Sequence, residues 1–435
     1  MVFFALQTVL NLRLKTSPVS LCQTSRIGKN KLELPTYIHE SEGVGKRHTY
    51  EIHSDALIEP SPKTHRPSHG SPVTENIALN GICPYFTMFP LAFPLNILQR
   101  RAKEGETILD PFCGRGTTNF AARLAGLASM GVDSSPVAAA ISSAKLVSTT
   151  AEKICNEARQ LLDTRSARNV PRGEFWSWAF HPDVLNSLCQ LREAFLEHCT
   201  PPERIALRGI VLGALHGPKQ KIIPSYFSNQ CPRTYAPKPA YATRFWKEHN
   251  LRPDQVDVIA LIERRAKRYY STLPSINGVV RHADSRKSDS LQPIAPEKKF
   301  DWIITSPPYY GMRTYIPDQW LRNWFVGGPD IVDYTTRDQV VHSSPDEFTE
   351  DLRMVWRNSY VVCSDDAKMV IRFGGITDRS ADPLSLIKAS LIDSGWRIMT
   401  LREAGTAMKG KRQADTFLRN RSKPLLEYDI WAVKH

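Results

Sequence analysis

Long apolar runs are missing from this chain: 41% of its 435 residues are hydrophobic, yet no stretch approaches the ~20 needed to span a bilayer. No membrane span is therefore expected. Met1–Leu10 is hydrophobic but lacks a basic leader, so it does not read as a signal peptide, and a cytosolic location is the default expectation. Paired cysteines are missing as well. The eight cysteines, at 22, 83, 113, 155, 189, 199, 231 and 363, form no CxxC and no Cys/His set at zinc spacing, which predicts reduced thiols and no structural metal. Acidic residues are outnumbered, 44 against 57 Lys and Arg, leaving a formal charge of +13. That excess suits a polyanionic partner, although a solvated basic surface would give the same number.

The length suffices for two or three domains of usual size. Residues 1–70 mix Ser, Pro, His and charges without a sustained period, as in Ile58–Pro67, and read as a loosely ordered extension. From Ile82-Cys83-Pro84-Tyr85 onward the pattern is α/β. A helix is expected over Leu91–Arg101, and Thr107–Thr118 reads as strand, glycine turn and the opening of a helix that ends at Gly126. In the run Asp110-Pro111-Phe112-Cys113-Gly114-Arg115-Gly116-Thr117-Thr118, Gly114 and Gly116 free the main chain for close approach by a ligand. A second strand, Leu127–Val132, leads into Asp133, 19 residues beyond Gly114, close to the ~20-residue offset of an acid that holds a ribose diol in Rossmann-type folds. The third glycine of a dinucleotide fingerprint is missing, and so is a Gly-Lys-Ser/Thr loop. Both gaps argue against NAD and ATP and favour a nucleoside cofactor without a pyrophosphate.

Strand patterning then lapses until Val279–Asp284. The intervening residues are mainly helical in period (Ala151–Leu162, Pro182–His198, Pro202–Leu215, Pro253–Tyr270), interrupted by a polar, aromatic stretch over Ser225–Pro239. Residues 201–272 hold thirteen Lys/Arg against five Asp/Glu. Basic residues interleaved with Tyr, Asn and Gln suit phosphate plus base contact, and Tyr226, Asn229, Arg233, Tyr235 and Lys238 are the candidates. Beyond the insertion, Phe300–Ile304 reads as a buried strand, Pro345–Val362 and Leu384–Asp393 as helices, and Lys368–Gly375 as a strand. Trp396–Arg402 and Leu425–Val433 read as an antiparallel pair. Between those last two lies a basic stretch with Lys409, Lys411 and Arg412, a phosphate-contacting loop or an exposed hairpin.

Two consecutive prolines end the strand at Thr305-Ser306-Pro307-Pro308-Tyr309-Tyr310-Gly311. They leave a rigid loop with a hydroxyl, free carbonyls and two aromatic rings. An exocyclic amine on a planar heteroaromatic ring could place its two N–H bonds on the Ser306 hydroxyl and the Pro307 carbonyl while Tyr309 clamps the ring.

The pairing of DPFCGRGTT with TSPPYYG resembles the amino-methyltransferases of DNA, over about residues 80–150 and 275–435. The resemblance implies a Rossmann-like methyltransferase sheet with helices on both faces, S-adenosylmethionine as cofactor and duplex DNA as partner. RNA is not excluded, and a cognate restriction endonuclease is a candidate companion. It assigns the methionine part of the cofactor to Asp110, Phe112, Gly114 and Gly116, with Thr117 and Thr305 alongside. It also assigns the ribose to Asp133, the adenine to Asp284, and the closing element to Phe86–Pro94 with Phe89. Ser306, Pro307, Pro308 and Tyr309 would be catalytic. Serine at the head of the motif, preceded by threonine, is typical of cytosine-N4 members, with adenine-N6 the nearest alternative. A Pro-Cys nucleophile loop for cytosine-C5 chemistry does not occur, since Cys83 and Cys231 precede prolines. Many such cytosine enzymes carry the two motifs in the reverse order. The order here, with a long insertion between, matches members whose recognition region is inserted. The expected organisation is an extension (1–70), a first half-domain (71–150), a recognition insertion (151–272) and a second half-domain (273–435).

Overall fold

In the computed structural model the described residues are 78–85, 89–218, 224–231, 238–270, 278–295, 297–311, 319–332, 340, 344–375, 381–406 and 426–435. All belong to one compact unit, Asp55–His435. The expected N-terminal extension lies outside them, as do Phe86–Met88, Arg233, Tyr235, Lys409, Lys411 and Arg412.

Among the described residues seven strands form one sheet: β1 (Thr107–Asp110), β2 (Ala128–Asp133), β3 (Gly278–His282), β4 (Phe300–Thr305), β5 (Cys363–Gly374), β6 (Trp396–Thr406) and β7 (Leu426–Lys434). Their spatial order is β3-β2-β1-β4-β5-β7-β6. β1 to β5 are parallel, and β7 runs antiparallel to both β5 and β6. The order reverses between β1 and β4, which makes the carboxyl ends of those two strands the topological switch point, where open α/β sheets bind ligands.

Alternation along the central strands sorts the core into two faces. Ile108, Trp302, Ile304 and Val370 pack with Ile97 and Leu98 of α1 (Ala92–Arg101) and Ala121 and Ala122 of α2 (Thr117–Leu124). Leu109, Ile303, Met369 and Ile371 face the other way, onto Phe348, Leu352 and Trp356 of α11 (Pro345–Val362) and Ile387 of α12 (Pro383–Leu391). Caps set the helix starts where the sequence offers them. Ser135 accepts the Ala138 N–H at 3.3 Å to open α3 (Pro136–Ala144), and Asp382 accepts the Ser385 N–H at 2.8 Å to open α12.

The insertion is helical, with α4 (Ala151–Thr164), α5 (Glu174–Ala179), α6 (Pro182–Glu197), α7 (Pro202–Ala214), α8 (Pro239–Glu248) and α9 (Val258–Tyr269). Its apolar faces share one core with Ile141 and Ala144 of α3 and with Leu79 and Ile82. The short helix α10 (Trp320–Phe325), which follows the TSPPYYG loop, adds Trp320, Leu321, Trp324 and Phe325 to that core. Helices α5, α8 and α10 are additions to the expectation. Two span six residues each, under two turns, too short for a 3.6-residue period to emerge. No helix among the described residues is long and apolar enough to cross a membrane.

Candidate active site at the switch point

β1 ends in Asp110, which is 1% exposed. Its Oδ1 accepts from the Phe112 N–H at 3.2 Å and from the Thr305 hydroxyl, at the end of β4, at 2.6 Å. Its Oδ2 is buried with no partner among the described residues. Burial pushes this carboxyl up to about 7, against the opposing pull of the Thr305 hydrogen bond. An orphaned, buried carboxylate oxygen beside a glycine turn is a fitting acceptor for an ammonium group such as that of a methionine moiety.

The turn itself is built by glycine. Gly114 and Gly116 have φ of +50° and +71°, in the left-handed region that side chains disfavour. A Cβ on Gly114 would meet nothing within 4 Å, whereas one on Gly116 would lie 2.7 Å from Ser142 Oγ. Among the described residues Gly114 thus faces open space suited to a ligand, and Gly116 is where the turn packs on α3. Ser142 secures it by donating to the Gly114 carbonyl at 2.8 Å. Gly116 is also the N-cap of α2 and offers no side-chain bond. Helix α2 opens at Thr117 and Thr118, both buried, and Thr118 donates to the Ile304 carbonyl at 2.9 Å, tying α2 to β4.

Asp133 closes the other side of the turn. Its Oδ2 accepts from the Gly114 N–H at 2.8 Å and its Oδ1 from the Ser135 N–H at 2.9 Å. Burial moves it upward despite these bonds. Each oxygen keeps lone-pair capacity for a diol. At the end of β3, burial pulls Asp284 upward but is outweighed by the Arg286 side chain, whose guanidinium nitrogens bond both carboxylate oxygens, with contacts from 2.7 to 3.1 Å. Arg286 also donates to Asp351 at 3.0 Å. Asp284 is therefore the arm of an ion-pair network, a role that no local sequence pattern marks.

Phe112 is half-buried, edge-on to Trp356 at 5.9 Å. Phe89 meets Phe93 edge-on at 5.3 Å. Phe93 in turn lies under the Arg372 guanidinium at 3.7 Å. In the proline loop, Pro307 is buried while Ser306, Pro308 and Tyr309 are half-buried. The two tyrosines part company: Tyr310 is only 8% exposed and packs on Phe348, so the loop offers one aromatic face, that of Tyr309. The Tyr309 ring rests edge-on to Phe373 at 5.4 Å.

In the insertion, Tyr226 is 7% exposed beneath the Arg265 guanidinium, which lies 5.2 Å from its ring. The Asn229 amide donates to the Trp178 and Leu251 carbonyls at 3.1 and 2.8 Å. Both residues therefore hold the fold of the polar stretch. Lys238 is exposed at the N-cap of α8. Arg264 and Arg265 donate to the Pro224 and Ser225 carbonyls at 2.8 and 2.7 Å, so part of the insertion's positive charge braces its own chain.

Sequence reading passed over two buried cations. Arg115, between the glycines, donates to the Cys83 carbonyl at 3.4 Å, and burial lowers it to about 10. Lys145 is fully buried, donates to Asn80 Oδ1 at 2.9 Å and is pushed well down by burial and by Arg115. A cation between two glycines was the available signal for Arg115; Lys145 had none. Cys113 is buried with its thiol pushed well up, mainly by burial, and is inert packing. No cluster of metal-ligating side chains occurs among the described residues.

Residues 40–144 match a family model described as DNA methylase. No curated protein matches the chain. Among solved structures, the chain is similar to the rRNA methyltransferase aviRa from Streptomyces viridochromogenes, with 12% identity over 84% of this chain and 94% of that one and a TM-score of 0.32. It is also similar to a SAM-dependent methyltransferase from Methanosarcina mazei, with 11% identity over 80% of this chain and 98% of that one and a TM-score of 0.30. Likenesses at that level carry no argument about this chain. The matched segment spans the glycine turn and both of its carboxylates, Asp110 and Asp133, so this part of the chain is similar to the DNA methylase family.

Proposed function

We propose that the chain is a DNA methyltransferase that transfers a methyl group to the N4 amine of a cytosine flipped out of a duplex. The observation that carries this reading is the junction at the switch point. Thr305, the residue before Ser306, is bonded to the orphan-bearing Asp110 of the cofactor turn at 2.6 Å, which holds the amine-binding loop against the cofactor site.

Asp110 and Asp133 would hold the methionine amine and the ribose diol, and the open side of Gly114 leaves room for the ligand. Bound there, S-adenosylmethionine supplies a methyl group already activated as a sulfonium, so the protein's task is positioning. A stacked base cannot reach that edge and must be extruded at a cost of a few kcal/mol. Tyr309 would stack on the extruded ring, offsetting part of that cost. Ser306 Oγ and the Pro307 carbonyl would accept the two amine hydrogens, aiming the nitrogen lone pair into the site. Serine as the acceptor favours cytosine in this reading. The basic insertion, sharing a core with α10 just beyond the loop, would carry the duplex contacts, with Lys238 exposed for a phosphate.

The test is incubation with labelled cofactor and either duplex DNA or tRNA, followed by digestion and mass analysis of nucleosides. N4-methylcytosine from the duplex is expected. N6-methyladenine, or label in tRNA alone, overturns the substrate assignment. Undiminished methylation by Ser306→Ala with normal cofactor binding overturns the role of the hydroxyl.

A further inference from the structure

We infer that Glu427 is a positioning residue for the reaction, fixing the plane of the Tyr309 ring through its hydroxyl. The inference rests on the reading of Tyr309 as the aromatic clamp. Glu427 lies on β7, two strands from the loop, and is 4% exposed. Its Oε1 accepts from the Tyr309 hydroxyl at 2.8 Å. A buried carboxylate is costly unless it is hydrogen-bonded, and a phenol O–H donating to it makes a charge-assisted bond, stronger than a neutral one.

The sheet is shaped to allow the contact. Glu427 pairs with Gly374 on β5 and with Gly405 on β6, so its cross-strand neighbours on both sides are glycines. A Cβ on Gly374 would stand 2.9 Å from Glu427 Cγ and 3.3 Å from Tyr309 Cε2. The missing side chain on β5 is therefore the passage through which the carboxylate from β7 reaches the loop beyond β4. Phe373, the residue before that glycine, supports the ring edge-on at 5.4 Å. Tyr309 is thus held on two sides, by an apolar edge and by a hydrogen bond at its tip. Two restraints of different kind select one ring orientation, which a stacking platform needs before the base arrives.

A double-mutant cycle tests this. Tyr309→Phe keeps the ring and removes the donor; Glu427→Gln keeps an acceptor; Glu427→Ala removes it. Tyr309→Phe and Glu427→Ala are each expected to lower kcat about tenfold, the rate equivalent of one such bond. Cofactor dissociation constants by calorimetry should stay within about twofold, since neither group belongs to the glycine turn. Glu427→Gln should recover most of kcat, and the double variant should be no slower than either single one, because both remove the same interaction. The fluorescence of a 2-aminopurine target base, which reports stacking of the extruded ring, should change alike in both single variants. Multiplicative losses in the double variant, wild-type kcat in Glu427→Ala, or a loss confined to cofactor binding overturns the inference. Because wild type serves as reference, absence of methyl transfer by wild type itself would instead overturn the proposed function.

Discussion

The Thr305 hydroxyl donates to Asp110 Oδ1 at 2.6 Å across 195 residues of chain. It joins the last residue of β4 to the last of β1, the two strands at which the sheet reverses its order. The two motifs, separated by the whole insertion, are thereby brought together at the switch point.

Thr305→Val, nearly isosteric, removes that bond and leaves a buried carboxylate with one donor fewer. A loss of about 1–3 kcal/mol in stability is expected, with weaker cofactor binding. Urea unfolding and calorimetry would measure both, and an unchanged pair of values would show the bond to be incidental.

Asp110 should make the free protein pH-sensitive. Its carboxyl moves from an ordinary value of 3.8 to about 7 through burial, so the folded state holds the proton more tightly than the unfolded chain. Its contribution to stability is full below about pH 4 and is lost as pH rises through about 7. Asp110→Asn should flatten the fall in unfolding midpoint between about pH 4 and 7. If cofactor binding places an ammonium on the ionised carboxylate, as proposed, it should release a proton near neutrality and strengthen with rising pH. Titration calorimetry in buffers of differing ionisation enthalpy would detect the release.

Gly116→Ala combines a φ of +71° with a Cβ placed 2.7 Å from Ser142 Oγ. A destabilisation of about 2–4 kcal/mol is expected, together with loss of cofactor affinity. Adding Ser142→Ala should relieve the clash but not the backbone strain, so recovery in thermal unfolding should be partial.

His216 is a second pH-sensitive group, away from the glycine turn. It is 1% exposed and shares a 2.6 Å hydrogen bond with Ser228, and burial together with nearby Arg322 lowers it to about 3. Folded chain holds it neutral while unfolded chain protonates it near 6.5. Its contribution is present above that value and is lost as pH falls from about 6.5 toward 3. His216→Gln should lessen the acid sensitivity of the unfolding midpoint over that window.

Local chemistry made much of this legible from residues alone. Glycine flanked by a strand and a helix can serve only as a turn at Gly114 and Gly116, and consecutive prolines can only end β4 at Pro307 and Pro308. Period-2 and period-3.6 patterns marked the strands and the long helices, because each must bury a continuous apolar face. The same patterns do not report partners. Tyr226 and Asn229 looked like groups for base contact, but the fold buries the ring and commits the Asn229 amide to carbonyls. Tyr309 and Tyr310 are adjacent and chemically identical, and burial against Phe348 sets Tyr310 apart from its neighbour.

Residue order was thus enough to specify the turn, the proline loop and the acid after β2, since each depends on backbone freedom or spacing within about twenty residues. Folding alone brought Thr305 to Asp110, Arg286 to Asp284 and Asp351, and Glu427 through the gap at Gly374 to Tyr309. Those contacts depend on strand order and register, and pairings between distant segments are chosen by burial of the whole sheet rather than by any local pattern.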